Sequence, residues 1–124
     1  MQGKEVGNVS FQPDTCVIER TRDGLNISGE LDLNAAPQLK SELIQLIEEG
    51  HRDIVVDLTD TTFLDSTALG ALAGQFRDLK ARGGSLSVIC TNENVLNTLE
   101  IAGVTHALRV CRSREELGLI PGTV

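Results

Sequence analysis

The stretch of this chain whose residue types and setting could do chemistry is Asp65-Ser66-Thr67. It lies within V-D-L-T-D-T-T-F-L-D-S-T-A-L-G, Val56 to Gly70, where an apolar strand-and-loop segment runs into a helical pattern. Two readings fit these three residues. In the first, one of them caps the helix. A short oxygen-bearing side chain accepts an orphan backbone N–H, and a carboxylate favours the positive end of the helix dipole. Spacing by itself favours that reading. In the second, the Ser66 hydroxyl accepts a phosphoryl group. A helix start tolerates phosphate for the same reasons that it tolerates a carboxylate. A protein surface packed over Ser66 would then meet about −1.5 to −2 of new charge at neutral pH, directly beside Asp65. The fold would survive the modification and the interface would not.

Other chemistry finds less support. A serine hydrolase needs a base and usually a G-x-S-x-G elbow, and neither is present around Ser66. His51 and His106 are isolated, and no Cys–His spacing matches a metal site. There is no G-x-G-x-x-G and no Walker-type loop, so no cofactor is expected and the chain is not expected to be an enzyme. Asp57, at the end of an apolar strand, reads as a residue that ties down a loop by hydrogen bonds. Gly70-Ala71-Leu72-Ala73-Gly74 has small residues at a G-x-x-x-G spacing, expected to let a helix pack closely on a sheet. Arg109, Arg112 and Arg114 form a small basic patch that reads as a solvated face.

The chain carries 11 Lys and Arg against 18 Asp and Glu, a net charge of −7. That argues against nucleic acid and against a polybasic membrane-surface module. With no Trp, no Tyr and three Phe, it also offers little for stacking on bases. Cys16, Cys90 and Cys111 are an odd count without a framework, which points to a reducing, cytoplasmic setting and to buried, small apolar side chains. Cys90 and Cys111 could form a redox pair only with Cα atoms within about 7 Å. The start, M-Q-G-K-E-V-G-N-V-S, has no apolar signal core, and the run Ala68–Gly74 is too short to span a bilayer.

The 124 residues are the size of one domain. Residues 1–10 read as a polar arm, 11–118 as the domain and 119–124 as a tail. Thr15–Glu19 and Leu25–Gly29, split by the turn signal Arg22-Asp23-Gly24, predict a β-hairpin. Asn34 is expected to cap a helix with Pro37 in its first turn. Leu39, Leu43, Leu46 and Ile47 form its apolar stripe, with Gln38, Glu42, Gln45 and Glu49 mostly on the other face, and Gly50 stops it. Ile54–Leu58 predicts a central strand covered on both faces. Thr59–Leu64 reads as a connection to a second helix with the stripe Leu69, Leu72, Phe76 and Leu79, stopped by Gly83-Gly84. Leu86–Cys90 is a strand. Asn92 or Asn94 opens a short helix with Val95, Leu96 and Leu99, Ala107–Val110 is a last short strand, and Ser113 caps a final turn through Leu117. The sum is an α/β fold: a mixed β-sheet with an N-terminal hairpin and about four helices packed on it. Sites in such sheets tend to lie at the carboxyl ends of the strands.

Asp65-Ser66-Thr67-Ala68-Leu69-Gly70 resembles the D-S-[ST]-G-L-G signature of STAS domains, specifically bacterial anti-sigma factor antagonists. Gly29-Glu30-Leu31-Asp32 resembles the G-E-L-D that ends a strand in that family, and Val55-Val56-Asp57-Leu58 resembles the strand before the signature. Gly83-Gly84 and the strand Leu86–Cys90 also fall where the family has them. The resemblance spans residues 10–118 and implies the STAS fold. It also implies a function. An ATPase-fold serine kinase that doubles as an anti-sigma factor binds the unphosphorylated antagonist and frees its sigma factor. Phosphorylation of the signature serine releases the antagonist, and a serine phosphatase resets it. Carried onto this sequence, the acceptor is Ser66, ahead of Thr67. The partner-binding set is Asp32, Asp65, Ser66, Thr67, Ala68 and Leu69, although Asp32 reads equally well as a turn residue ahead of the Asn34 cap. Ala68 departs from the family's glycine and is expected to add a methyl group at the interface. Glu30, Asp32, Asp60 and Asp65 would form an acidic rim that steers a basic partner. Two other roles fit the same fold: a regulatory or scaffold subunit of a transporter or stress-signalling complex, and a sensor of a small ligand or nucleotide beside Ser66.

Overall fold

The structure, a computed structural model, describes residues 8–11, 16–104 and 108–118. Thr15, His106, Ala107, the arm before Asn8 and the tail 119–124 lie outside the described residues. Strands β1 (Asn8–Phe11), β2 (Cys16–Arg20) and β3 (Gly24–Leu31) come first. Helix α1 (Ala36–Glu48), β4 (Asp53–Leu64), α2 (Ser66–Ala81), β5 (Ser85–Ile89), α3 (Glu93–Ile101) and β6 (Arg109–Cys111) follow, and a 3-10 turn, Glu115–Leu117, comes last. Among the described residues there are thus three α-helices, with a single turn where a fourth was expected. Residues 8–10, read as part of the arm, fall within β1, where Asn8 and Val9 pair with Arg20 and Glu19 of β2.

The six strands form one sheet in chain order. β1, β2 and β3 are antiparallel neighbours, and β3, β4, β5 and β6 run parallel. Each parallel link passes through a helix. Right-handed crossovers that always step the same way across a sheet put every helix on one face. The core agrees with that rule: Leu39, Leu43 and Leu46 of α1, Leu69, Leu72 and Leu79 of α2, and Val95 and Leu99 of α3 share a cluster with Leu25, Ile27, Ile54, Val56, Leu58, Leu86 and Val88. On the opposite face Val55, Ile89, Cys111 and Leu117 make a small second cluster, closed by the 3-10 turn. The start of β4 is therefore buried on both faces, as its unbroken apolar run predicts. Gly24 fits this packing because a Cβ there would overlap the carbonyl of Val55.

The segment Thr59–Leu64, expected as a connection, is the second half of β4. The β3–β4 register shifts twice, between Asn26 and Ser28 and between Gly29 and Glu30, each time with an extra residue on β4. Leu58, Thr61 and Leu64 are buried at intervals of three, and the pairs between them are exposed. Bulges of this kind erase the alternation by which a strand is read from sequence. Two hydrogen bonds hold the segment, one local and one across to β3. Asp57 Oδ1 accepts from the Thr59 backbone N–H at 2.9 Å, and buried Thr61 donates its hydroxyl to the Ile27 carbonyl at 2.8 Å.

Three further readings change. Asn34 does not cap α1. Asp32 Oδ1 accepts from the backbone of Asn34 at 3.0 Å and of Ala35 at 3.3 Å, so this carboxylate holds the turn that leads into α1, whose own N-cap, Ala35, has no side-chain hydrogen bond to offer. Glu42, expected on the polar face, is buried: Gln38 donates to its Oε2 at 2.9 Å, and Arg20 lies 3.9 Å from Oε1 while also clasping Glu49. Gly70 and Gly74 do not pack on the sheet. A Cβ at either would meet nothing within 4 Å.

Candidate functional site

Strand β4 ends at Leu64, paired with Leu31 at the end of β3. One residue further on, Asp65 leaves the sheet. Its backbone N–H donates to the Leu31 carbonyl at 3.3 Å, and its φ of −103° and ψ of 177° keep it extended. Its Oδ1 accepts from the Ala68 N–H at 3.0 Å, and its carbonyl accepts from the Leu69 N–H at 3.0 Å. Asp65 is therefore the N-cap of α2. The capping role thus falls to Asp65, and Ser66, the first residue of α2, is exposed to solvent.

Thr67 is exposed beside Ser66, whereas Ala68 is fully buried and Leu69 is 5% exposed. The first turn of a helix lying on a sheet turns its third and fourth residues inward. The extra methyl of Ala68 therefore fills core space beneath the turn, and not a partner interface. The surface at this point consists of Ser66 and Thr67, with half-buried Asp65 at its edge.

Asp32 follows Leu31 as Asp65 follows Leu64, so the two aspartates stand side by side at the carboxyl ends of adjacent strands. Glu30 and Asp60 are exposed nearby on β3 and β4. Between Asn26 and Leu39, and again between Ile54 and Phe76, the chain has no Lys, Arg or His but carries Glu30, Asp32, Asp57, Asp60 and Asp65. The edge that bears Ser66 is consequently anionic. Two exposed apolar side chains, Leu33 and Phe63, belong to the same edge and have no counterpart among the residues singled out by sequence. The signal for Phe63 was the broken alternation of β4.

The C-terminal cations are already paired, and one of them, Arg114, also feels the charge of Asp57. Arg114 pairs with Asp23 at 2.9 Å, Arg112 with Glu93 at 3.5 Å, and Arg109 donates to the Glu116 carbonyl at 3.0 Å. Burial alone would raise the Asp23 carboxyl, but the hydrogen bonds and charge of Arg114 outweigh it and hold that group below the usual carboxylate range. His51 sits before β4, and Ser66 sits after it. Twelve residues of strand separate them, roughly 30 Å or more at about 3.3 Å per residue, so His51 cannot act as a base for Ser66.

Cys90 and Cys111 face opposite sides of the sheet. Cys90 belongs to the helix-covered core and Cys111 to the small cluster on the other face, although the Cys90 N–H donates to the Cys111 carbonyl at 2.8 Å. Neighbouring backbones with opposed side chains cannot form a disulfide. Burial, with help from the charge of Asp32, pushes the Cys16 thiol up to about 11, and burial raises that of Cys90. Among the described residues, no three His, Cys, Asp or Glu side chains come together as a metal site.

The model of the STAS domain matches residues 16–117. The chain belongs to the STAS domain family. Within it, this STAS domain is similar to the anti-sigma-B factor antagonist of Bacillus subtilis, with 34% identity over 91 residues that span 73% of this chain and 83% of that one. The anti-sigma-B factor antagonist of Staphylococcus aureus strain NCTC 8325 is 29% identical over 91 residues, 73% of this chain and 84% of the relative. Solved structures share the fold. An anti-sigma factor antagonist from Mycobacterium paratuberculosis superposes with a TM-score of 0.72 at 21% identity, covering 85% of this chain and 92% of that one. The anti-sigma factor antagonist SpoIIAA in its unphosphorylated form gives 0.68 at 24% identity over 86% and 96%. No helix among the described residues of this STAS domain is long and apolar enough to cross a membrane.

Proposed function

We propose that this STAS domain is an anti-sigma factor antagonist whose binding is switched at Ser66. Unphosphorylated, it captures an ATP-dependent serine kinase that also serves as the anti-sigma factor, and so frees the sigma factor. The kinase phosphorylates Ser66 and lets go, and a serine phosphatase restores the hydroxyl. The observation that carries this reading is the division of labour at the head of α2. Asp65 supplies the cap through Oδ1, which leaves the exposed Ser66 side chain with no part in holding the helix.

The physics of the switch follows from that position. Phosphate on the first helical residue gains about 0.3–1 kcal/mol from the helix dipole when exposed, and free first-turn N–H groups can face it. Repulsion from Asp65 opposes it. The two nearly offset, and the fold changes little in stability. A partner packed over Ser66 has no such compensation. An unpaired charge forced into a protein interface costs about 2–5 kcal/mol, tens- to thousands-fold in affinity. Buried, unpaired Cys16, Cys90 and Cys111 support a working place in the reducing cytoplasm.

The test is affinity capture from cells of the source organism with wild-type, Ser66→Ala and Ser66→Asp proteins, followed by phosphosite mapping. The switch requires an ATPase-fold kinase held by wild type and Ser66→Ala, lost with Ser66→Asp, and phosphate on Ser66. Equal retention on all three baits sinks it. Transporter subunits on all three, with Ser66 unmodified, would make the domain a regulatory subunit instead.

A further inference from the structure

Three large apolar side chains stand exposed among the described residues: Leu33 at 61%, Phe63 at 48% and Ile101 at 80%. Ile101 ends α3, away from Ser66. Leu33 and Phe63 lie at the ends of β3 and β4, the two strands whose paired residues Leu31 and Leu64 lead into the site. Each is held there by local structure. Leu33 lies within the turn that Asp32 ties from both its side chain and its carbonyl, which accepts from Ala35 and Ala36 at 3.0 Å each. Phe63 is turned outward by the second bulge of β4, which breaks the register between Gly29 and Glu30 and sets Phe63 opposite exposed Glu30. An exposed apolar side chain on a rigid support gives up little conformational freedom when it is covered. Exposed apolar area beside a site, rimmed by charge, marks a protein-binding surface.

We infer that Leu33 and Phe63 are the two apolar anchors by which the kinase is held, entering apolar pockets that the kinase rings with Lys or Arg. This rests on the reading of Ser66 as the phosphoacceptor. The choice of occupant comes from charge. Glu30 and Asp32 lie in one stretch, Asn26–Leu39, and Asp60 and Asp65 in another, Ile54–Phe76, and neither stretch carries a Lys, Arg or His. ATP brought to Ser66 would add further negative charge, so the surface that delivers it must supply the neutralising cations. A second copy of this chain has the same anionic edge and would repel it. The division of roles is specific. Carboxylates at the rim set the association rate and its salt dependence, and buried anchors set the dissociation rate. Interface anchors of this size are commonly worth tenfold or more in affinity when truncated. Their contacts do not involve the Ser66 hydroxyl, so they set how tightly the unmodified form is held and not its response to phosphate.

The experiment uses the kinase retained by the Ser66→Ala protein, purified, and measures its association and dissociation with full-length wild-type, Leu33→Ser, Phe63→Ser and Asp60→Asn proteins at two salt concentrations. Leu33→Ser and Phe63→Ser should each speed dissociation about tenfold or more and leave the salt dependence unchanged. Asp60→Asn should slow association and flatten the salt dependence. Because both anchors are exposed, melting temperatures should stay within about 2 °C of wild type, which separates lost contact from lost fold. Wild-type dissociation rates for both anchor variants would overturn the anchors and leave the Ser66 switch standing. Sedimentation showing that wild type dimerises and the anchor variants do not would assign the patch to a second copy and overturn the kinase as occupant. If no kinase discriminates Ser66→Ala from Ser66→Asp, the functional reading itself has failed, and the anchors fall with it.

Discussion

Asp32 and Asp65 do the same job at neighbouring positions. Each stands one residue beyond a member of the Leu31–Leu64 pair, and each turns its strand into the following helix by accepting backbone N–H groups on Oδ1, from Asn34 and Ala35 in one case and Ala68 in the other. The two parallel strands thus end in two capped turns set side by side, with Ser66 on one and Leu33 on the other. The site gains its rigidity from the two carboxylates. The hydroxyl proposed as the phosphoacceptor does none of the capping.

Replacing either carboxylate should be felt as stability. Asp65→Ala and Asp32→Ala are each expected to cost about 1 kcal/mol, while Asp65→Ser keeps most of the cap. Asn34→Ala should be close to neutral because its side chain does not cap α1. Urea unfolding of the four variants measures this. An Asn34→Ala loss as large as that of Asp32→Ala would contradict the assignment.

The glycines of α2 make the opposite prediction. Gly70 and Gly74 lie in a helix with open space where a Cβ would be, and glycine inside a helix costs about 0.5–1 kcal/mol relative to alanine. Gly70→Ala and Gly74→Ala should each raise stability by about that amount. Gly24→Ala should lower it, because the new Cβ would strike the Val55 carbonyl. Thermal melts of the three variants decide the matter by sign.

These results bear on what the sequence could reveal. The helix stripes were legible because Leu39, Leu43 and Leu46, and Leu69, Leu72 and Leu79, repeat at helical spacing and have one face to bury. The far half of β4 was not, because two bulges replace a period of two with a period of three at Leu58, Thr61 and Leu64. The Asn34 cap is not realised because Asp32 and Asn34 are both capable acceptors and the backbone path gives the N–H groups of this turn to Asp32. Ser66 could be singled out by residue type and setting. That Ala68 points into the core, and that Leu33 and Phe63 point out, depends on how α2 lies on the sheet and on where the bulges fall.

The pair Arg114–Asp23 joins the C-terminal turn to the β2–β3 turn across 91 positions. Asp23 titrates below its unfolded value near 3.9. Its contribution to stability is therefore fully present above that value and is lost as pH falls through the lower, folded value. Arg114→Ala should cost about 1 kcal/mol at pH 7, a modest figure because both partners are partly solvated. The gap between wild type and variant should be constant from about pH 5 to 8 and close below about pH 4. A gap that widens on acidification would contradict the pairing. Unfolding followed across pH provides the measurement.

Thiol chemistry should be quiet. Cys16 and Cys90 are buried with raised thiol pKa values, so they should react slowly with iodoacetamide at pH 7.5 and quickly after unfolding. Mild oxidation should produce no Cys90–Cys111 disulfide in the folded protein, since the side chains face opposite sides of the sheet. Mass mapping after each treatment tests both statements.

The most direct measurement titrates the purified kinase against two forms of this chain, unmodified and phosphorylated at Ser66, while following the melting temperature of each form alone. The switch predicts that phosphate weakens binding by a factor in the tens to thousands and moves the melting temperature by no more than about 2 °C. Equal affinity for the two forms, or a loss of affinity matched by unfolding of the phosphorylated chain, would contradict it.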